Sequence, residues 1–211
     1  MGWLRPLWRG PRRRGLDLGV LLERGFVALD LETTGLDPRA DAVVAAAAIP
    51  VVAAQAAGGY VTLVNPGRPI PPESTVIHGI TDAMVALAPP IHEVLDALEA
   101  VCDDRLLVGH RIDFDLAVLA RERRGRGRGP LPNPSLCTMR LAAALHPDWT
   151  DVGLDAVASR LAVVVRDRHT ARGDAVAAAQ ILLALLPDAR RRGITTLNEL
   201  LWLQSTASLR G

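Results

Sequence analysis

The chain has 211 residues, 49% hydrophobic and 22% charged, with a formal net charge of +1. That length suits one α/β domain rather than two, and the composition excludes a disordered chain. The charge balance singles out no class of partner, and all 24 basic residues are Arg, a usage that a GC-rich genome explains more simply than phosphate binding does.

Cys102 and Cys137 make no disulfide framework, so a reducing cytoplasm is the simplest setting. No run of about 18 apolar residues suits a membrane span. Residues 1–24 open with MGWLRPLWRGPRRRG and are expected to form a basic, partly disordered lead-in. The following LDLGVLLERG carries Asp17, Glu23 and Arg24 and makes a poor signal core. Trp3 and Trp8 have two readings, stacking on bases or packing on the domain surface. The main domain is expected over 25–188, and 189–211 as an amphipathic helix and tail packed on it.

Phe26-Val27-Ala28-Leu29 reads as a buried strand. It leads into Asp30 and Glu32, two carboxylates on one strand face. Side by side at the end of a buried strand they repel and are costly to desolvate, and a cation would reverse both penalties. Thr33-Thr34-Gly35 then add hydroxyls and a flexible backbone. Val43 to Ala54 and Tyr60 to Val64 read as two more strands of an antiparallel meander, turned at Asp37-Pro38 and Gly58-Gly59. NPGRPIPP, residues 65–72, is an extended link, and Ser74 and Thr81 are candidate caps of short helices. Helical spacing covers Ile91 to Val101, Ile112 to Arg123, Leu136 to Leu145, Leu154 to Leu161 and Ala171 to Leu186. A short strand, Leu106 to Val108, precedes Gly109-His110. Arg121 to Gly129 reads as a flexible basic loop, and Thr196 as the N-cap of a last helix. Strands first, then strand and helices mixed, predict a mixed α/β sheet with helices packed on it.

Two helices carry further acids. Asp115 lies near the inward stripe of Ile112, Leu116 and Leu119, and Asp174 lies in line with Ala177, Ala178, Ile181 and Leu185. A buried aspartate needs a counter-charge; no Lys exists, and Arg172 lies on another side of its helix. His169 would not share the helical face of Asp174, so it is expected on a loop leaning over the same site. Asp30, Glu32, Asp115 and Asp174 thus converge with one histidine. Two divalent cations would neutralise the four acids, and oxygen ligands favour Mg²⁺ or Mn²⁺. Paired ions of this kind serve in-line attack on a phosphodiester.

The segments D-L-E-T-T-G at Asp30, G-H-x-x-x-F-D at Gly109 and H-x-A-x-x-D-A at His169, with NPGRPIPP and I-H-G-I-T between them, resemble the DEDDh 3′–5′ exonucleases of the DnaQ-like family over about residues 26–187. The resemblance implies an RNase H-like fold and an exonuclease domain that releases nucleoside 5′-monophosphates from DNA 3′ ends. It carries over Asp30, Glu32, Asp115 and Asp174 as metal ligands and His169 as general base. It implies that Thr33, Thr34, Gly35 and Leu36 receive the 3′-terminal nucleotide, with His110 near the site. Arg111, Ala45, Ala47 and Cys137 depart from the family pattern, which touches substrate preference and rate more than chemistry. Asp113, His78, His92 and the Arg123 to Arg128 run read as structural or solvated. RNA or oligonucleotide trimming, and a weakly catalytic nucleic-acid-binding or polymerase-associated module, are the other readings. The intact acids and histidine count against the binding module. The sequence leaves open whether a DNA polymerase is a partner.

Overall fold

The structure, a computed structural model, describes residues 15–207. Its centre is a sheet of six strands among the described residues: β1 (Phe26–Thr33), β2 (Val43–Val52), β3 (Gln55–Ala56), β4 (Tyr60–Leu63), β5 (Leu107–Gly109) and β6 (Ser135–Cys137). The β1, β2 and β4 strands form the expected antiparallel meander, with Asp30 opposite Ala47 and Glu32 opposite Ala45. A tight turn at Ala53-Ala54, both at positive φ, adds the short β3 that periodicity does not reveal. On its other side β1 pairs in parallel with β5, and β5 with β6. The sheet is therefore mixed, with helices on both faces.

Alternation along β1 assigns its side chains to two cores. Val27, Leu29 and Leu31 pack toward α4 (Ile91–Cys102) and α5 (Asp113–Gly125). Ala28 packs on the opposite face with Ala45, Ala47 and Ile49, against α8 (Ala171–Arg191). Ala175, Ala177 and Ala179 of α8 join that core, and small residues let a helix axis approach a sheet closely. Asp30 and Glu32 continue the Ala28 face, so they emerge where α8 begins. The remaining helices are α1 (Leu18–Arg24), α2 (Pro72–His78), α3 (Asp82–Val85), α6 (Thr138–Leu145), α7 (Leu154–Arg160) and α9 (Leu197–Ser205).

Several expectations need correction. The lead-in does not extend to residue 24: α1 is a capped helix whose Leu18 and Leu21 are buried in the core. Its amphipathic spacing outweighs the charges of Asp17, Glu23 and Arg24, which stay at its ends. Trp3 and Trp8 lie outside the described residues. Leu136 and Cys137 belong to β6 rather than to the helix that follows. Ser74 lies inside α2 instead of capping it, and its hydroxyl donates to Thr34 O at 2.8 Å. Thr81 holds the N-cap position of α3 without a side-chain bond. The basic stretch after Arg121 is neither free nor simply solvated, because Arg123, Arg126 and Arg128 pair with Glu99 and Asp96 of α4. Thr196 caps α9 in a capping box with Glu199, as its sequence predicts. Gln204 of α9 accepts from Cys137 N at 2.7 Å and donates to Ser135 O at 2.8 Å, so one amide covers the exposed edge of β6.

The chain turns from β5 into α5 through Gly109. A Cβ there would lie 2.8 Å from Leu29 O and 3.0 Å from the Ile112 Cβ, closer than packed atoms tolerate. Gly109→Ala should therefore cost about 1–3 kcal/mol, the usual range for overpacking. Urea unfolding measures it, and an unchanged midpoint would mean that β1 and α5 are not in such close contact.

Candidate active site

At Leu31 the β1 backbone has run past its pairing with β5, which aligns at Val27 and Ala28. The Leu31 N–H instead donates to Asp115 Oδ1 at 2.9 Å. That bond brings the first turn of α5 to the end of β1 and satisfies a buried donor. Across the strand end, the first turn of α8 supplies Asp174. Carboxylate oxygens of Asp30, Glu32 and Asp174 lie within 4.8 Å of one another. All four acids line one open cavity of about 380 Å³, within the size range of small-molecule sites. Leu36, Ile77, His78, Phe114 and Met139 also line it. Leu36 stands 80% exposed at the rim, an apolar surface without cover.

Charge in this cluster is expensive. Burial, then the neighbouring charges of Asp115, Glu32 and Asp174, push the Asp30 carboxyl well above its ordinary range. Burial and then Asp174 push Glu32 up to about 7, against the opposing pull of Arg168. Burial also raises Asp115, although the bond from Leu31 N–H opposes it. Asp174 is raised by burial and partly relieved by Arg168. A divalent cation among Asp30, Glu32 and Asp174 would relieve those three directly, and an all-carboxylate set suits a hard ion that prefers oxygen. The residues present therefore fit the implied metal.

Arg168 is the group that sequence reasoning missed. Its Nη1 pairs with Asp174 Oδ2, and its Nε lies 2.8 Å from Asp155 Oδ1. Asp174 thus has the counter-charge that neither Lys nor Arg172 supplies. The signal was the basic residue directly before the motif histidine, on the loop rather than on the helix. That loop is bent hard: Asp167 and His169 both adopt positive φ, at 51° and 61°, a conformation non-glycine residues rarely take. Gly173 permits it, because a Cβ there would lie 2.0 Å from Asp167 O. Thr170 fixes the loop by accepting from Gly173 N at 3.0 Å and donating to Asp167 O at 2.7 Å.

His169 is on a loop as expected and partly buried, with its backbone N–H 3.3 Å from Asp174 Oδ1. Its ring does not reach the cavity wall in this arrangement; Arg168 lines the wall. The imidazole Nδ1 lies 3.2 Å from Arg168 Nη1.

The residues expected to meet substrate divide into two groups. Thr33, Gly35 and Leu36 line the cavity. Thr34 does not: its hydroxyl donates to Asp41 Oδ1 at 2.9 Å and accepts from Ala42 N at 3.0 Å, which braces the turn after β1. His110 lines the cavity, but both ring nitrogens are engaged within the fold. Nε2 lies 3.0 Å from Val152 O and Nδ1 2.9 Å from Thr138 Oγ1. A carbonyl only accepts, so Nε2 carries the proton. Burial pushes the ring down to about 4, so it is a neutral bridge from β5 to the 150–153 loop. Asp113 is a helix N-terminal acid as expected, and it pairs with Arg140 at 2.7 Å. His78 is more than packing: it borders the cavity, with Nδ1 accepting from Ile80 N at 3.0 Å.

Comparison with known proteins now adds to this geometry. A family model described as RNase_T, exonuclease, matches residues 27–182. A DNA polymerase III subunit epsilon-like protein of Rhodobacter capsulatus is 44% identical over 181 residues, covering 83% of this chain and 26% of that protein. A DNA polymerase III of PolC type from Lacticaseibacillus paracasei is 31% identical over 176 residues, 83% of this chain and 12% of that protein. The chain thus spans about a quarter or less of these relatives. Among solved structures, exonuclease X in complex with 5′-overhanging duplex DNA aligns with a TM-score of 0.64 at 26% identity. That alignment covers 85% of this chain and 99% of the other.

The raised carboxyls fix the sign of a pH effect. They hold protons in the folded state that the unfolded chain, with ordinary carboxylates near 4, has already released. Stability is therefore lost as pH rises toward and through the folded values. His110 and His78, lowered in the fold, act in the opposite sense below about pH 6.5 and fade above it. From pH 7 to 8.5 the metal-free protein should lose melting temperature as Asp115, pushed up to about 8, gives up its proton, and Asp115→Asn should lose less. A wild-type melting temperature that stays level or rises over that interval would contradict the buried repulsion.

Proposed function

The chain belongs to the RNase_T exonuclease family, and on that premise we propose that it is a metal-dependent 3′–5′ exonuclease. It would release nucleoside 5′-monophosphates from DNA 3′ ends. The observation that carries this reading is the meeting of Asp30, Glu32 and Asp174 within 4.8 Å, in a cavity that Asp115 and Leu36 also line.

Asp30, Glu32, Asp115 and Asp174 would hold two Mg²⁺ or Mn²⁺ ions. When bound, such ions activate a water and stabilise the departing 3′ oxygen. The chain's own groups do the rest. Leu36 and Ile77 offer apolar surface to the terminal base. Thr33 and Gly35 present the backbone at the turn, shaped by the Thr33 hydroxyl donating to Gly35 O at 2.6 Å. His169 is the general base: imidazole exchanges protons readily near neutral pH. It would take the water's proton with its ring turned toward the cavity. DNA as substrate draws support from the exonuclease X complex, and a DNA polymerase as partner from the epsilon-like and PolC-type relatives. No helix among the described residues is long and apolar enough to cross a membrane.

Shortening of a 5′-labelled single strand should require Mg²⁺ or Mn²⁺ and stop with a chelator. Undiminished digestion in excess EDTA would refute the metal reading. Faster digestion of RNA than of DNA in the same assay would redirect the substrate. His169→Ala should lower turnover by roughly 10²–10⁴-fold, the usual share of acid–base catalysis. It should keep the rise in melting temperature that Mn²⁺ produces, because the acids hold the ions. Asp30→Asn should lose both. It is the cleaner comparison than Asp115→Ala, which would also strand the Leu31 N–H. A His169→Ala protein with wild-type turnover would remove His169 from the mechanism.

A further inference from the structure

Arg168 touches three groups at once. Its Nη1 pairs with Asp174 Oδ2 and lies 3.2 Å from His169 Nδ1, and its Nε lies 2.8 Å from Asp155 Oδ1. Arginine only donates, so Nη1 engages an oxygen of one proposed metal ligand and the ring lone pair of the proposed base. The second oxygen of Asp174 accepts from the His169 backbone N–H at 3.3 Å. A cation placed among Asp30, Glu32 and Asp174 would sit within a few ångströms of the guanidinium and repel it. At short range that repulsion is large. Nη1 must therefore give up Asp174 when a divalent ion arrives.

The pair with Asp155 need not break. Asp155 lies on α7, outside the acid cluster, with a side chain 66% exposed. The Nε contact is a pivot, and the arginine stays at the cavity wall, which it already lines. A planar guanidinium there suits a phosphate oxygen better than any other side chain would.

We propose that Arg168 is a phosphate-binding residue that doubles as a stand-in cation. Without divalent ions it neutralises Asp174 and covers His169 Nδ1; with them it turns about Asp155 and grips a backbone phosphate of the entering strand. This rests on the proposed exonuclease reading and deepens it. It makes two demands of opposite sign. Loss of the guanidinium removes a competitor of the metal and a partner of the nucleic acid.

The test uses the full chain as wild type, Arg168→Gln and Arg168→Lys. Mn²⁺ is titrated while melting temperature is followed. A 5′-fluorescent single strand is titrated by anisotropy in Ca²⁺, with strand length checked on a gel afterwards. In Arg168→Gln the Mn²⁺ concentration giving half the rise should fall about three- to tenfold. The oligonucleotide Kd should rise about tenfold, the order of one charge-assisted hydrogen bond, and Arg168→Lys should lie between. A residue that merely shaped the site would weaken both. Arg168→Gln binding Mn²⁺ no more readily than wild type, or the strand as tightly, overturns the inference while leaving the exonuclease reading intact. A wild-type chain whose melting temperature ignores Mn²⁺ ends the metal reading of the site, and this inference with it.

Discussion

Mutual repulsion among buried carboxylates is the constraint on which this structure turns. Asp30, Glu32, Asp115 and Asp174 all have carboxyls raised by burial and, for Asp30 above all, by one another. Each such group opposes folding when charged, and nothing in hydrophobic packing demands them. A fold keeps a cluster of this kind only against a compensating force. Within the chain that force is Arg168 on Asp174 and the Leu31 N–H on Asp115. On Asp30 and Glu32 Arg168 acts through its charge, against the larger effect of burial.

The rest of the domain holds three segments at one sheet end. The apolar run of β1 is paired on both sides in the middle of the sheet and carries Asp30 and Glu32 beyond its pairing with β5, held there by β2 alone. The alanines of β2 and α8 let the helix lie close over the face that carries both acids. Gly109 lets α5 start directly beside β1. Ala45 and Ala47, which depart from the family pattern, stand opposite Glu32 and Asp30 in that closely packed zone. They exchange an acid for close packing and leave the four carboxylates of the cavity in place. Cys137, a further departure, is buried at the edge strand, where burial pushes its thiol up. Arg111 lines the cavity and is exposed.

The tail and the start of the domain close on each other. Asp17 and Thr196 form a bridge, Leu18 N donates to Thr195 O at 2.9 Å, and Leu197 N donates to Leu16 O at 2.8 Å. With Gln204 covering β6, the described residues on either side of the matched 27–182 region are joined to each other and to the sheet edge.

The sequence alone determined what depends on local periodicity. Alternation placed Asp30 and Glu32 on one face of β1, and helical spacing turned Asp115 and Asp174 inward, because each rule concerns a few neighbouring residues. The Thr196 cap was legible for the same reason. Only the tertiary structure decided what depends on contacts between distant segments. Arg168 reaches Asp174 because its loop bends through two positive-φ residues, which no periodicity encodes. Ser74 looked like a cap and instead bonds to Thr34 O, forty residues away. His110 looked like a substrate contact, yet α6 and the 150–153 loop claim both its nitrogens. Leu18 and Leu21 looked like part of a basic leader, and the core takes them because burying apolar side chains outweighs the charges around them.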